Sequence, residues 1–184
     1  MSTPGASPRV RPSVDGAVAP PADETLLRAF RDLRDELVST LMYVLGNRDD
    51  AQDAAQDAFL KCWRSREGLA QVQNLRAWIF RVGLNAARDQ QRSAWRRRAR
   101  PLLEEAAMFV DRAENPGQVL EERENLGRLR EAITTLRPEE KEVFLLRQNG
   151  DLTYEQIAEI RRTPVGTVKT QMRTALHKLR KILT

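Results

Sequence analysis

The sequence predicts an all-α protein made of two small helical domains joined by a flexible linker. Three observations carry that reading. Apolar residues recur every three or four positions over most of the chain, and no alternating strand pattern survives anywhere. Helix start and stop signals are frequent and clean, above all in the last third. The charge also inverts abruptly near the middle. Residues 88–100 hold six Arg against one Asp, whereas residues 101–125 hold seven acids against two Arg. Asn115-Pro116-Gly117 breaks the periodicity inside that acidic stretch. We therefore expect domains at 23–100 and 119–184, with 101–118 as an acidic linker.

The elements follow in order. Residues 1–22 carry five of the nine prolines among Ser, Gly and Ala, and such a stretch cannot bury a core, so it reads as a disordered tail. From Glu24, a first helix is marked by Leu26, Leu27, Phe30, Leu33, Leu37, Leu41, Val44 and Leu45, and Gly46-Asn47 ends it. A second begins near Asp49 with an apolar stripe through Ala51, Ala54, Ala55, Ala58, Phe59, Cys62 and Trp63. Gly68 marks a loop, and Asn74 is placed to cap a third helix whose inward residues are Leu75, Trp78, Ile79, Val82 and Ala86. Pro101 stops that helix after a run of arginines. Beyond the linker, helices are expected over 119–136, 138–149, 153–160 and 164–183. Thr153-Tyr154-Glu155-Gln156 is a capping box, and Thr163-Pro164 sets a hydroxyl before a proline suited to a first helical position.

Composition narrows the function. Net charge is +5 over 184 residues, but from Ile160 to Thr184 there are seven basic residues and no acid. A cationic end on a near-neutral body points to a polyanionic partner. The single cysteine, Cys62, excludes an internal disulfide framework and suits a reducing cytoplasm, as filler beside Trp63. No apolar run is long enough to span a bilayer, so no membrane is expected. One His, one Cys, no glycine-rich phosphate loop and no metal-ligand spacing argue against an enzyme, a metal or a cofactor.

Two short helices joined by a tight turn, the second long and basic, form a helix-turn-helix signature. Its expected core is Ile157, Ala158, Ile160, Val165, Val168, Met172, Leu176 and Leu179. Gly166, Thr167, Lys169, Thr170, Gln171, Arg173 and Thr174 remain to enter a major groove. Lys and Arg can reach guanine or phosphate there, and Gln can bond adenine through both its amide atoms.

With those residues in view, the chain resembles the extracytoplasmic-function group of the bacterial sigma-70 family over about residues 23–183. The segment 136–183, with Thr153-Tyr154-Glu155-Gln156-Ile157-Ala158 and Pro164-Val165-Gly166-Thr167-Val168-Lys169-Thr170, looks like region 4. The run Asp50-Ala51-Gln52-Asp53-Ala54-Ala55-Gln56-Asp57-Ala58-Phe59-Leu60 resembles region 2.2, and the stretch from Asn74 to Asn85 with Arg88 and Asp89 resembles regions 2.3 and 2.4. The resemblance implies a transcription initiation factor that binds core RNA polymerase at its clamp and flap and recognises promoter DNA. It assigns −35 contacts to Arg162, Thr163, Val165, Gly166, Thr167, Lys169, Thr170, Gln171, Arg173 and Thr174. It assigns −10 contacts to Trp78, Phe80, Arg81, Asn85, Arg88, Asp89 and Arg92, and polymerase contacts to Asp49, Asp50, Asp53, Gln56 and Asp57. A cytoplasmic protein, monomeric outside the holoenzyme and held by an anti-sigma factor, is the corresponding expectation.

Elementary chemistry fits these roles. Asp49, Asp53 and Asp57 share one helix face, and like charges so spaced repel by a few tenths of a kcal/mol per pair, which suits a surface made to meet a basic partner. Trp78 and Phe80 stand about 200° apart around a helix, so we expect Trp78 inward. Phe80 is then free to stack on an extruded base near Asn85 and the 66–73 loop, or to make a second core contact. Arg92, Arg96, Arg97 and Arg98 suit phosphate. The chain departs from the family pattern at Arg161-Arg162, where a glycine is usual after a leucine; the turn is reshaped there, or the pair holds phosphate. Family members often carry Arg where Gln171 and Thr174 stand, and the 66–73 loop lacks the common Phe-Arg-Gly stretch. The rival reading is a stand-alone repressor, which would dimerise across two half-sites and have no use for the blocks at 50–63 and 78–89.

Overall fold

The computed structural model describes residues 21–98 and 120–183. Of the tail expected at 1–22, residues 1–20 lie outside the described residues, whereas Ala22 already belongs to the first helix; the linker expected at 101–118 and the side chains of Arg96, Arg97 and Arg98 also lie outside them. Among the described residues, seven α-helices run in chain order: α1 Ala22–Leu45, α2 Arg48–Arg64, α3 Leu75–Arg98, α4 Leu120–Thr134, α5 Pro138–Gln148, α6 Tyr154–Arg161 and α7 Val165–Leu183. A 3₁₀ helix, Arg66–Gln71, joins α2 to α3. Among the described residues there is no strand.

Local chemistry sets the boundaries. Gly46 ends α1 in the left-handed conformation at φ 77°, where its N–H donates to the Met42 carbonyl. The Asn47 side chain accepts from the N–H groups of Asp49 and Asp50 at 2.8 and 3.3 Å, and so starts α2. Asn74 caps α3 as expected, accepting from the Ala77 N–H at 2.8 Å. The capping box at α6 forms: Thr153 Oγ1 accepts from Gln156 N–H at 3.2 Å, and Gln156 Oε1 from Thr153 N–H at 2.9 Å. The expected cap at Thr163 does not form. Its hydroxyl donates to the Arg161 carbonyl at 3.1 Å, and α7 starts at Val165.

Helices α1, α2 and α3 pack as one module, in which Leu26, Leu37, Leu41, Ala51, Ala58, Cys62, Ile79, Phe80 and Leu84 are fully buried. Burial pushes the Cys62 thiol up to about 12, so it behaves as an inert hydrophobe. Gly83 lets α1 and α3 meet closely: a Cβ there would stand 2.8 Å from Leu37 Cδ1. Helices α4 to α7 form the second module around Val143, Leu145, Leu146, Leu152, Ile157, Val168 and Ala175. Leu176, expected in that core, is exposed. The buried face of α7 runs through Val168, Met172, Ala175 and Leu179, and Ala175 takes the inward position. The two modules touch, α5 lying against α1 and α6 against α3.

Candidate nucleic-acid interface

The candidate recognition element is α6, a tight turn and α7. The turn is closed without glycine: Arg162 takes the left-handed conformation at φ 51°, ψ 46°. A residue with a Cβ costs about 1 kcal/mol there. Its side chain is exposed, whereas that of Arg161 is 8% exposed. Of the two arginines, only Arg162 can therefore hold phosphate in this arrangement. Along α7, Gly166, Thr167, Lys169, Thr170 and Arg173 are exposed, Thr174 and Gln171 are half-buried, and Val165 packs partly against the core. The hydroxyls of Thr170 and Thr174 donate to the Gly166 and Thr170 carbonyls, both at 3.0 Å. What each offers outward is therefore a lone pair. Lys169 lies 5.9 Å from the centre of the Tyr154 ring, with Arg147 at 5.6 Å, and such stacking holds a cation in place.

Gln171 is tied back to its own module. The guanidinium of Arg161 donates to Gln171 Oε1, so that oxygen is taken, and the pairing with adenine through both amide atoms is not available in this arrangement. Sequence reading passed over His177. It is exposed and stands on the same face as Thr170 and Arg173, at the three- and four-residue spacing that could have marked it.

In the first module, α3 corrects the expectation for its aromatic residues. Phe80 is fully buried, whereas Trp78 is half-buried at the edge of the core. The reason is breadth. Helix α3 is covered by both α1 and α2, and Ile79, Phe80, Gly83, Leu84, Ala86 and Ala87 together span an arc of about 160°. Phe80 falls inside that arc, so it cannot stack on a base. Trp78 and Arg81 instead line a cleft of about 320 Å³ with Gln73, Asn74, Gln156 and Glu159. Asn85 is exposed, and its side-chain oxygen accepts from Arg88 at 3.4 Å. Arg88 also pairs with Glu142 of α5, and Asp89 pairs with Arg92 and with Lys61. The hydrogen bond from Arg92 and the nearby cation hold the Asp89 carboxyl below its ordinary range.

The acidic face of α2 is only partly unpartnered. Asp57 binds Lys61 at 2.8 Å, and Asp50 accepts from Gln90 at 3.2 Å. Asp49 and Asp50 sit in the first helical turn, where the helix dipole favours negative charge whether or not a partner is present. Asp53 and Gln56 are exposed on the rim of a groove of about 560 Å³ between α1 and α2, floored by Phe30, Leu37, Val38, Ala55 and Phe59. Phe30 and Phe59 meet edge to face at 5.1 Å beneath it.

Family comparison matches residues 29–97 to sigma-70 region 2 and residues 126–179 to sigma-70 region 4. The ECF RNA polymerase sigma-E factor of Haemophilus influenzae is 30% identical over 136 residues, covering 68% of this chain and 70% of that protein. The chain belongs to the extracytoplasmic-function group of the sigma-70 family. Another relative of this sigma factor, the ECF RNA polymerase sigma factor SigE of Mycolicibacterium smegmatis, is 29% identical over 170 residues, or 92% of the chain; the chain spans 64% of that protein's length. Among solved structures, the sigma factor RpoE of Bartonella quintana, in complex with the anti-sigma factor NepR, shares the fold. Its TM-score is 0.71 at 22% identity, covering 88% of this chain and 95% of that one. CnrH in complex with the cytosolic domain of CnrY gives 0.61 at 20% identity.

Proposed function

We propose that this sigma factor carries core RNA polymerase to promoters. The observation that carries the reading is that one chain holds region 2 and region 4 in order, with an exposed, acid-free face on the long helix of the second. In this reading residues 119–184 form the −35 module, gripping duplex through Lys169, Arg173 and Arg162 and reading it with Gly166, Thr167, Thr170 and Thr174. Residues 23–100 form the −10 and polymerase module. There Trp78, Arg81, Asn85, Arg88 and Arg92 face promoter DNA, and the groove rimmed by Asp53 and Gln56 receives the polymerase clamp. The rim of that groove sets Asp53 across from Arg31 and Arg34 around an apolar floor, which suits a helical partner with an apolar stripe flanked by charges of both signs. The polymerase flap would meet the second module.

The sigma factor performs no chemistry of its own in this scheme. Among the described residues, no helix is long and apolar enough to cross a membrane, in keeping with work in the cytoplasm. The solved relatives with anti-sigma partners support an anti-sigma regulator here too. Run-off transcription tests the proposal: purified core polymerase with this protein should initiate at defined start sites from a promoter library. If no added bacterial core gains specific initiation, the reading fails. Binding that only blocks transcription would favour the repressor.

A further inference from the structure

Arg161 is the last residue of α6, and its side chain is turned inward, 8% exposed. A guanidinium does not give up its charge, so a buried one must be met by acceptors. Two are at hand. Glu142 Oε2 stands 3.5 Å from Arg161 Nε, and Gln171 Oε1 accepts a hydrogen bond from Arg161 Nη1. The first contact is an ion pair only, since Nε is buried and makes no hydrogen bond, and Glu142 also divides its charge with Arg88. The oxygen of Gln171 is therefore not free to turn away. Moving it would leave a second donor of the same buried side chain unpaired, which costs more than an ordinary hydrogen bond returns.

The contact also fixes which way round the amide lies. Arginine carries donors and no acceptor, so it can meet only the oxygen of Gln171. What remains is the amino end, with two N–H donors. Among the described residues the one buried side-chain polar atom without a partner is Arg161 Nε, so that amino end is not shut in. Gln171 stands half-buried on α7 in one row with Thr167, four positions before it, and Thr174, three after, beside the exposed Thr170. In a major groove a whole amide, one donor and one acceptor, matches adenine, which offers N7 and its N6 amino group. A group with donors alone matches guanine instead, whose N7 and O6 are both acceptors. We propose that Arg161 is a positioning residue that sets the specificity of the −35 module: by holding the Gln171 oxygen, it turns a reader of adenine into a reader of guanine. The inference rests on the promoter reading above. Arg161, Gln171 and Glu142 all belong to the second module, so the setting travels with that module onto DNA.

The test is promoter selection with the holoenzyme: core polymerase, the full chain and a promoter library randomised across the −35 element, with the transcribed templates sequenced. Gln171→Ala locates the position, because it erases the preference at whichever base pair the amide reads. There the wild type should favour guanine over adenine by roughly fivefold or more, and Arg161→Met should reverse that order. Arg161→Lys, which still donates to the amide oxygen, should keep guanine. Gln171→Glu still accepts from Arg161 but has no donor left, and should lose guanine as fully as Gln171→Ala does. It leaves the buried cation in place, so it decides the matter if Arg161→Met folds poorly. Adenine favoured by the wild type, guanine retained by Gln171→Glu or by a folded Arg161→Met, or no position altered by Gln171→Ala would each overturn the proposal. A wild type that confers no specific initiation overturns the promoter reading itself, and this inference with it.

Discussion

Arg162 shows how one position can serve two ends at odds. It holds the left-handed conformation that the turn between α6 and α7 requires, and it presents an exposed guanidinium beside the recognition helix. Arg162→Gly should raise stability by about 1 kcal/mol, since glycine takes that conformation without penalty. The same change should weaken DNA binding and lower the salt slope by about one phosphate contact. Thermal unfolding and a salt titration would register the two effects in opposite directions. Glu140 behaves differently. Burial pulls its carboxyl upward, but hydrogen bonds from Lys178 at 2.7 and 2.9 Å and from the Arg137 N–H outweigh this and hold it below its ordinary value of 4.5. A carboxyl lowered by folding stabilises the fold above about pH 4.5 and loses that contribution as pH falls through its folded value. Glu140→Gln should therefore cost about 2 kcal/mol at pH 7 and make the acid limb shallower, as denaturant titrations at pH 7 and pH 3 would show.

Among elements, α5 ends at a point with no spare room. A Cβ on Gly150 would stand 2.5 Å from the Leu146 carbonyl oxygen and 3.1 Å from Leu152 Cγ, and backbone cannot step aside as a side-chain tip can. Gly150→Ala should destabilise by about 2 kcal/mol in equilibrium unfolding. On α2, Asp53→Lys places a cation on the groove rim without touching the core. It should weaken core polymerase binding by roughly tenfold or more while leaving duplex −35 binding unchanged in a mobility-shift assay. Equal loss in both would show a folding defect instead. Much at this scale was legible in the sequence. Caps at Asn74 and Thr153 are side chains reaching backbone three residues away, so the local pattern contains the whole interaction. The sides of α3 were not. Whether Trp78 or Phe80 turns inward depends on how many helices cover α3, and periodicity within one helix cannot count its neighbours. The same holds for Leu176, displaced from the core of α7 by the smaller Ala175.

For the whole molecule, the legible part was the order of modules and the distribution of charge; the illegible part was their contact. Arg76 meets the carbonyls of Asn149 and Gly150 across more than seventy positions, and backbone acceptors leave no residue-type signature to find. The tie between Arg161 and Gln171 was illegible for a related cause, since Arg161 resembles a phosphate ligand until its burial is known. The charge distribution gives its own prediction. If Arg162, Lys169 and Arg173 each neutralise one phosphate, affinity for −35 duplex should fall by roughly fortyfold between about 50 and 200 mM salt. A fluorescence-anisotropy series would measure it, and a flat response would remove these three from the phosphate contacts.

Helix α3 has one more consequence. It runs without a break from Leu75 to Arg98, about 36 Å at 1.5 Å per residue. Trp78 and Arg92 therefore stand at fixed marks on one rigid ruler, ~21 Å apart, or about six nucleotide steps. In the proposed promoter reading, a phosphate caught at the far mark would dictate which nucleotide arrives at the near one. Bending the rod between them would leave the protein adhering to DNA while misaligning where it begins to read.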